Sequence, residues 1–203
     1  MAAAAMLAVG ETDPVVDKIC EVARKLVPGK DLGAVISQEA KDRIERYITE
    51  AEKQGAKILV DGRNVKVEGS EGGYYVGATI IDNVTAEMTI AKEEVFGPVL
   101  SIIRTKDVTE AMTIENANPY GNAAAVFTQS GSAARQVIER ASVGMVGVNI
   151  GVPVPREPFS FGGWNESKFG ALDITGKSSI EFWTQLKKVT VKWNAEHGVN
   201  WMS

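Results

Sequence analysis

The sequence predicts an α/β fold, a layered parallel sheet with flanking helices. Short strand-like runs alternate with helical periodicity at the spacing of βαβ units. The run VGMVGVNIG (143–151) is apolar throughout, as parallel strands are when helices cover both faces of their sheet. The stretch 151–170 that follows is rich in Gly and Pro, and loops beyond the carboxyl ends of such strands are where ligands bind.

Four segments have the periodicity and the end signals of helices. The first is 13–27, with Asp13 as its N-cap, a proline next and Cys20 on its apolar face. Ser37 caps the second helix. The apolar stripe of that helix consists of Ala40, Ile44, Tyr47, Ile48 and Ala51.

The remaining two helices lie in the second half of the chain. Asp107 begins the third, with Glu110 three residues later in a variant of the capping box. This helix ends before Asn118-Pro119, because the residue before a proline disfavours the helical region. The fourth helix is expected over 132–141.

Strands are expected between these helices and at both ends of the chain. Residues 1–10 are apolar and fit a helix or a buried strand, whereas 56–69 predicts a hairpin around Asp61-Gly62. Three further runs have strand character, and the last of them is expected to be buried: 74–84, 99–105 and 121–129. The tail alternates over 179–194 and predicts a long strand without a partner in its own domain. Such a strand pairs outside that domain, and another chain is one candidate partner.

Composition narrows the function classes. The net charge is −4 with acidic and basic residues interspersed, which indicates neither a nucleic-acid partner nor a membrane partner. The first ten residues are too short for a signal sequence or a membrane span. One cysteine permits no internal disulfide and suits the cytoplasm or the mitochondrial matrix, and one cysteine with one histidine does not predict a metal site.

The stretch KEEVFGPVL (92–100) places charge, an aromatic ring and a backbone break at one strand edge. Taken alone, adjacent carboxylates at such a position are a solvated rim and a single Phe belongs to a core. No G-x-G-x-x-G follows a strand, and neither a P-loop nor a G-x-S-x-G motif is present. Spacing alone therefore gives an α/β domain without an assigned chemistry.

Five stretches, in order, resemble the C-terminal half of NAD-dependent aldehyde dehydrogenases. They are EEVFGPV (93–99), NPYGNAAAVFT (118–128), VGVNIGVPVP (146–155), FSFGG (159–163) and FWTQLKKVTVKW (182–193). The Pro-rich stretch after Gly151 is most similar to the CoA-acylating methylmalonate-semialdehyde dehydrogenases. The resemblance implies a catalytic domain, incomplete on its N-terminal side, over 1–178, an oligomerisation strand over 179–194 and a tail over 195–203.

The resemblance also implies roles for individual residues. Glu94 accepts hydrogen bonds from the hydroxyls of the nicotinamide ribose of NAD, and Phe96 braces that end of the cofactor, while Glu93 points to the opposite face and stays solvated. Phe161 corresponds to an aromatic that lines the aldehyde pocket, although a core residue at a tight turn is the equal alternative. Arg156 either attracts a carboxylated aldehyde or is an ordinary surface residue.

Other polar and small residues near these motifs are expected to be structural. Asn149 holds neighbouring backbone, and Gly162 and Gly163 permit a turn. Cys20 lies in the middle of a helix on its apolar stripe, where a free cysteine is inert, and His197 is solvated.

By the same resemblance, the nucleophilic cysteine belongs immediately before Met1, so no catalytic residue is expected within the chain. The whole enzyme converts a malonate or methylmalonate semialdehyde, NAD and CoA into acyl-CoA, CO2 and NADH, and works as a homo-oligomer through its last strand. The chain alone is expected to be inactive. Three alternatives remain open: a portion of an enzyme that releases its product with water, a non-catalytic truncated subunit that acts through oligomerisation, and a gene fragment.

Overall fold

A computed structural model describes residues 3–193, and its main sheet has four strands. These are β1 (Ala5–Val9), β2 (Lys57–Val60), β3 (Thr79–Asp82) and β4 (Val99–Thr105), in the order β1-β4-β3-β2. β4 runs parallel to both β1 and β3, whereas β2 is antiparallel to β3. The α/β class is confirmed, and the first segment is a strand, but the sheet is mixed rather than parallel throughout.

The predicted hairpin around Asp61-Gly62 is wrong. Gly62 packs directly on the backbone of Gly77, where an added Cβ would lie 2.0 Å from the carbonyl oxygen. The amide of Gly77 donates to the Gly62 carbonyl at 2.8 Å. These contacts close a long excursion between Val60 and Thr79, so β2 pairs with β3 and not with the residues that directly follow its turn.

Six helices are present among the described residues: α1 (Asp13–Ala23), α2 (Gln38–Lys53), α3 (Thr89–Lys92), α4 (Val108–Ala117), α5 (Gly131–Arg140) and α6 (Ser179–Trp183). Ser37 and Asp107 cap α2 and α4 as predicted, since each side chain accepts a hydrogen bond from a backbone amide three residues on. The four helices predicted from periodicity correspond to α1, α2, α4 and α5.

Helix α1 differs from the prediction at both ends. Thr12, not Asp13, occupies the N-cap position, and no side chain caps the helix there. The Asp13 carboxylate is engaged elsewhere, since it pairs with Arg104 of β4 at 2.8 Å. The helix also ends at Ala23 rather than at residue 27.

The core around the main sheet has two layers, one on each face. Neighbouring residues of a strand point to opposite faces, so Ile81 and Ile103 pack under α2 while Ile80 and Ile102 pack under α1. All five residues of the predicted α2 stripe are buried. Cys20 lies in the layer beneath α1. This sandwich of helix, sheet and helix is the layered arrangement that the sequence predicts.

Two small sheets follow the main one. β6 (Ala123–Val126) is parallel to β7 (Met145–Val148), and β5 (Tyr120–Gly121) is antiparallel to β8 (Trp164–Asn165). The parallel pairing of the 143–151 run is confirmed. β6 is only partly buried, contrary to the prediction, because within residues 3–193 it has a single neighbouring strand.

The tail does not begin as a strand. Ser179–Trp183 is helical, and Thr184 closes this turn with a hydroxyl that donates to the Ile180 carbonyl at 2.5 Å. The prediction of a strand is therefore wrong over its first five residues. Residues 184–193 pair with no strand of the described chain. Residues 194–203, and the prediction made for His197, lie outside the described residues.

Candidate functional site

The turn 93–97 connects α3 to β4 and carries the two residues expected to face the cofactor. Glu94 is exposed, and the Phe96 side chain is 76% exposed with a backbone φ of 57°. Val95 between them is buried in the core layer under α2. The turn lies at the amino end of β4, and it leaves a carboxylate and an aromatic ring directed away from the core.

Backbone contacts join this turn to the main sheet. The Pro98 carbonyl accepts a hydrogen bond from the amide of Thr79 at 2.9 Å, and the Val99 amide donates to the Gly97 carbonyl at 2.8 Å. Glu93 is exposed as predicted, but it is not merely solvated, because its carboxylate accepts a hydrogen bond from the Tyr47 hydroxyl. This hydrogen bond raises the pKa of Tyr47.

The sequence pattern does not predict the contact that Tyr47 makes with this site. Its ring belongs to the predicted α2 stripe and is buried. A buried tyrosine needs a partner for its hydroxyl, and that requirement was the available signal. The pattern could not identify the partner, because Glu93 lies 46 residues further along the chain.

Phe161 lies on the loop that follows β7 and is exposed, at 38%. It is in none of the buried clusters, so the structure does not place it as a core residue at a turn. Its amide donates to the Thr175 hydroxyl at 3.0 Å, which fixes the backbone of the loop. Phe159 is more exposed still, at 72%.

Gly162 and Gly163 are required for close packing rather than for the shape of a turn, since neither has a positive φ. A Cβ on Gly162 would lie 2.1 Å from a carboxylate oxygen of Asp173, which pairs with Lys168 at 2.7 Å. A Cβ on Gly163 would lie 3.0 Å from the Cα of Asn122. The two glycines thus bring the Phe161 loop against its neighbours.

Asn149 holds backbone, as predicted. It has a φ of 57°, its side-chain oxygen accepts from the Thr128 amide at 2.9 Å, and its side-chain nitrogen donates to the Thr128 carbonyl at 3.1 Å. Arg156 is exposed, and its backbone carbonyl accepts a hydrogen bond from the amide of Phe159 at 3.0 Å.

Cys20 does not have the environment of a nucleophile. The residue is 3% exposed, and burial raises the pKa of its thiol. A reactive cysteine requires a lowered pKa and access to the substrate. Between residues 3 and 193, no cluster of three His, Cys, Asp or Glu side chains could hold a metal ion, and no helix has the length and apolar character needed to cross a membrane.

The α/β sandwich described above is the fold of a known family of enzymes. The chain belongs to the aldehyde dehydrogenase family, whose sequence pattern matches residues 6–189. Its relatives include the mitochondrial acylating methylmalonate-semialdehyde/malonate-semialdehyde dehydrogenase of Bos taurus, which is 45% identical over 202 residues. The malonate-semialdehyde dehydrogenase of Halalkalibacterium halodurans is 40% identical over 200 residues.

Solved structures show the same similarity. A methylmalonate-semialdehyde dehydrogenase from Oceanimonas doudoroffii superposes with a TM-score of 0.88 at 43% identity, over 94% of this chain. One from Sinorhizobium meliloti, complexed with NAD, gives 0.89 at 40% identity, over 95% of this chain. The resemblance predicted from five motifs is confirmed. The chain spans 38% of the length of the Bos taurus relative and 41% of the two structures.

Proposed function

We propose that this chain forms the C-terminal part of the catalytic domain of a CoA-acylating methylmalonate- or malonate-semialdehyde dehydrogenase that uses NAD. The observation that carries the proposal is the 93–97 turn, which directs Glu94 and Phe96 outward from a fixed backbone. The similarity to acylating relatives supports the choice of branch. Such an enzyme acts in the cytoplasm, or in the mitochondrial matrix of a eukaryote.

The exposed groups fit the nicotinamide end of NAD. A carboxylate only accepts hydrogen bonds, so Glu94 can hold two ribose hydroxyls at once, and the Phe96 ring offers an apolar wall beside them. NAD, when bound, supplies the hydride acceptor. Phe161 lines the aldehyde pocket in this proposal, and the hydrogen bond that its backbone amide donates to the Thr175 hydroxyl keeps the loop in place.

The proposal assigns no covalent chemistry to this chain. Cys20 is buried with a raised pKa, and attack on an aldehyde requires an accessible thiolate. We therefore expect the 203-residue chain alone to form no NADH, and we expect CoA to accept the acyl group only in the complete enzyme. Aldehyde, NAD and CoA are the proposed small-molecule partners.

The same proposal assigns the residues after α6 to assembly. Leu186, Val189, Val191 and Trp193 are all exposed in this chain, at 57% or more. Apolar side chains spaced along a segment without a strand partner are suited to adding a strand to another subunit. The expected assembly is a homo-oligomer that uses this segment.

A fusion enzyme tests the function. The chain is joined to the N-terminal portion of the Oceanimonas doudoroffii relative, and NADH formation is followed with each semialdehyde, with and without CoA. We expect turnover that requires CoA, and we expect Glu94→Gln to raise the KM for NAD at least about tenfold by weakening charge-assisted hydrogen bonds. Glu139→Gln, at an exposed carboxylate of α5, is the matched control.

Each outcome of this experiment has a defined meaning. CoA-independent release of a free acid would support the hydrolytic branch instead. Turnover without any effect of Glu94→Gln would reject the assignment of the turn to NAD. If the fusion forms no NADH but the chain joins intact subunits in native mass spectrometry, the chain is a non-catalytic subunit.

A further inference from the structure

One helical turn of α2 contacts both ends of the 93–97 turn. Tyr47 donates its hydroxyl hydrogen bond to Glu93, and Ile44, three residues earlier on the same helix face, lies against Gly97. The packing on Gly97 is tight, since a Cβ built there would lie 2.7 Å from the Ile44 Cδ1 atom. Helix α2 therefore contacts the turn on both sides of the segment that contains Glu94 and Phe96.

The backbone between these two contacts has a conformation that a phenylalanine rarely adopts. Phe96 has a φ of 57°, in the left-handed region, where a bulky side chain is disfavoured. Such a residue persists only where its surroundings determine the conformation. Here the surroundings are the Tyr47 hydrogen bond, the buried Val95 and the packing of Gly97 on Ile44.

Within residues 3–193, the Tyr47 hydroxyl provides the polar side-chain contact between α2 and the 93–97 turn. The tyrosine ring packs in the core under α2 among Ile44, Ile48 and Val95, while its oxygen reaches the surface carboxylate of Glu93. Removing the oxygen leaves the apolar packing of the ring in place. The hydroxyl can therefore be tested separately from the fold.

We propose that Tyr47, through Glu93, is a positioning residue that holds Glu94 and Phe96 in their outward orientation for the nicotinamide ribose. The inference rests on the proposed function for its consequence in catalysis. The hydrogen bond from Tyr47 to Glu93 and the φ of Phe96 are properties of the folded chain and are independent of that function. Glu93 thereby has a distinct part from Glu94: it anchors the turn, and its neighbour contacts the ligand.

The first experiment uses the 203-residue chain. Backbone chemical shifts of residues 95–97 report the φ of Phe96 by NMR, in the native chain and in Tyr47→Phe, with Tyr120→Phe as a control at an exposed tyrosine. We expect Tyr47→Phe to reduce the left-handed population of Phe96 to about half or less, while the shifts of β4 stay unchanged. Glu93→Ala is expected to give the same shifts, and the double variant no more than either single variant.

The second experiment uses the fusion enzyme. We expect Tyr47→Phe to raise the KM for NAD about tenfold, with kcat changed by less than about twofold, because the hydroxyl prepares the binding turn and does not touch the reacting atoms. Tyr120→Phe should leave both constants unchanged.

The two experiments separate the inference from the function. If the unmutated fusion forms no NADH, the proposed function is rejected and the NMR measurement decides the positioning by itself. If Tyr47→Phe lowers the melting temperature while the Phe96 shifts and the KM for NAD remain unchanged, the contact is purely structural and the inference is overturned.

Discussion

Replacing Gly97 with alanine tests the packing that holds the Phe96 turn. The φ of Gly97 is not in the positive range, so an alanine can adopt the same backbone. Any loss of stability must then come from the added methyl group. That methyl group would lie 2.7 Å from Cδ1, 3.0 Å from Cγ1 and 3.2 Å from Cγ2 of Ile44.

The size of the effect follows from the burial of Ile44. This side chain is 0% exposed in the core layer under α2, so it cannot move aside into solvent. Overpacking of this kind costs about 1–3 kcal/mol in the free energy of unfolding. Gly33→Ala is the matched control, because Gly33 has no atom within 4 Å of its added Cβ. Its expected change is within about 0.5 kcal/mol.

A double-mutant cycle identifies the clashing atom. Ile44→Val removes Cδ1, the nearest atom, and costs about 0.5–1.5 kcal/mol by itself. Urea unfolding of the two single variants and of the double variant gives the coupling energy. We expect the double variant to be more stable than the sum of the single effects by about 1 kcal/mol. Additive effects would refute the contact, as would a Gly97→Ala chain as stable as the native one.

Three further predictions concern the rest of the chain. Asp82→Asn should cost about 1–3 kcal/mol at pH 7 in urea unfolding, because Asp82 accepts two hydrogen bonds from the Arg104 guanidinium. The hydrogen bonds from Arg104 lower the pKa of Asp82 in the folded chain. The stabilisation is therefore complete above the unfolded pKa of about 4 and is lost as the pH falls through the lower pKa of the folded chain. The difference in the free energy of unfolding between the native chain and Asp82→Asn should accordingly shrink as the pH falls below about 4. The Cys20 thiol should react with a disulfide reagent at pH 8 at least about tenfold more slowly in the folded chain than in urea, and equal rates would contradict its burial. Ser37→Ala should cost about 1 kcal/mol by removing the hydrogen bond to the Ala40 amide, whereas Ser37→Asp should retain most of that stability.

The correct predictions from the sequence depend on contacts within a few residues. The Ser37 cap, the α2 stripe and the Asp107 cap are all encoded by side chains three or four positions apart, so their pattern is visible in the chain. The five motifs identified the family in the same way, because the residues within each motif are contiguous.

The wrong predictions depend on distant partners. The hairpin at Asp61 failed because β2 pairs with β3 across an excursion that the contact between Gly62 and Gly77 closes. Asp13 does not cap α1, because Arg104, which points from β4 to the same face of the sheet as Ile102, binds its carboxylate. In both cases the interacting residues are far apart in sequence, so local propensity could not predict the contact.

The sequence by itself determined the α/β class, the principal helices and the family, and it singled out Glu94 and Phe96 as the residues proposed to face the cofactor. Only the tertiary structure decided how these residues are held. Tyr47 and Ile44 lie on a helix some fifty residues before the turn that they contact. These contacts hold Phe96 in its disfavoured backbone conformation. Helix and strand signals depend on neighbouring residues. The orientation of the 93–97 turn instead results from packing between segments that meet only when the chain folds.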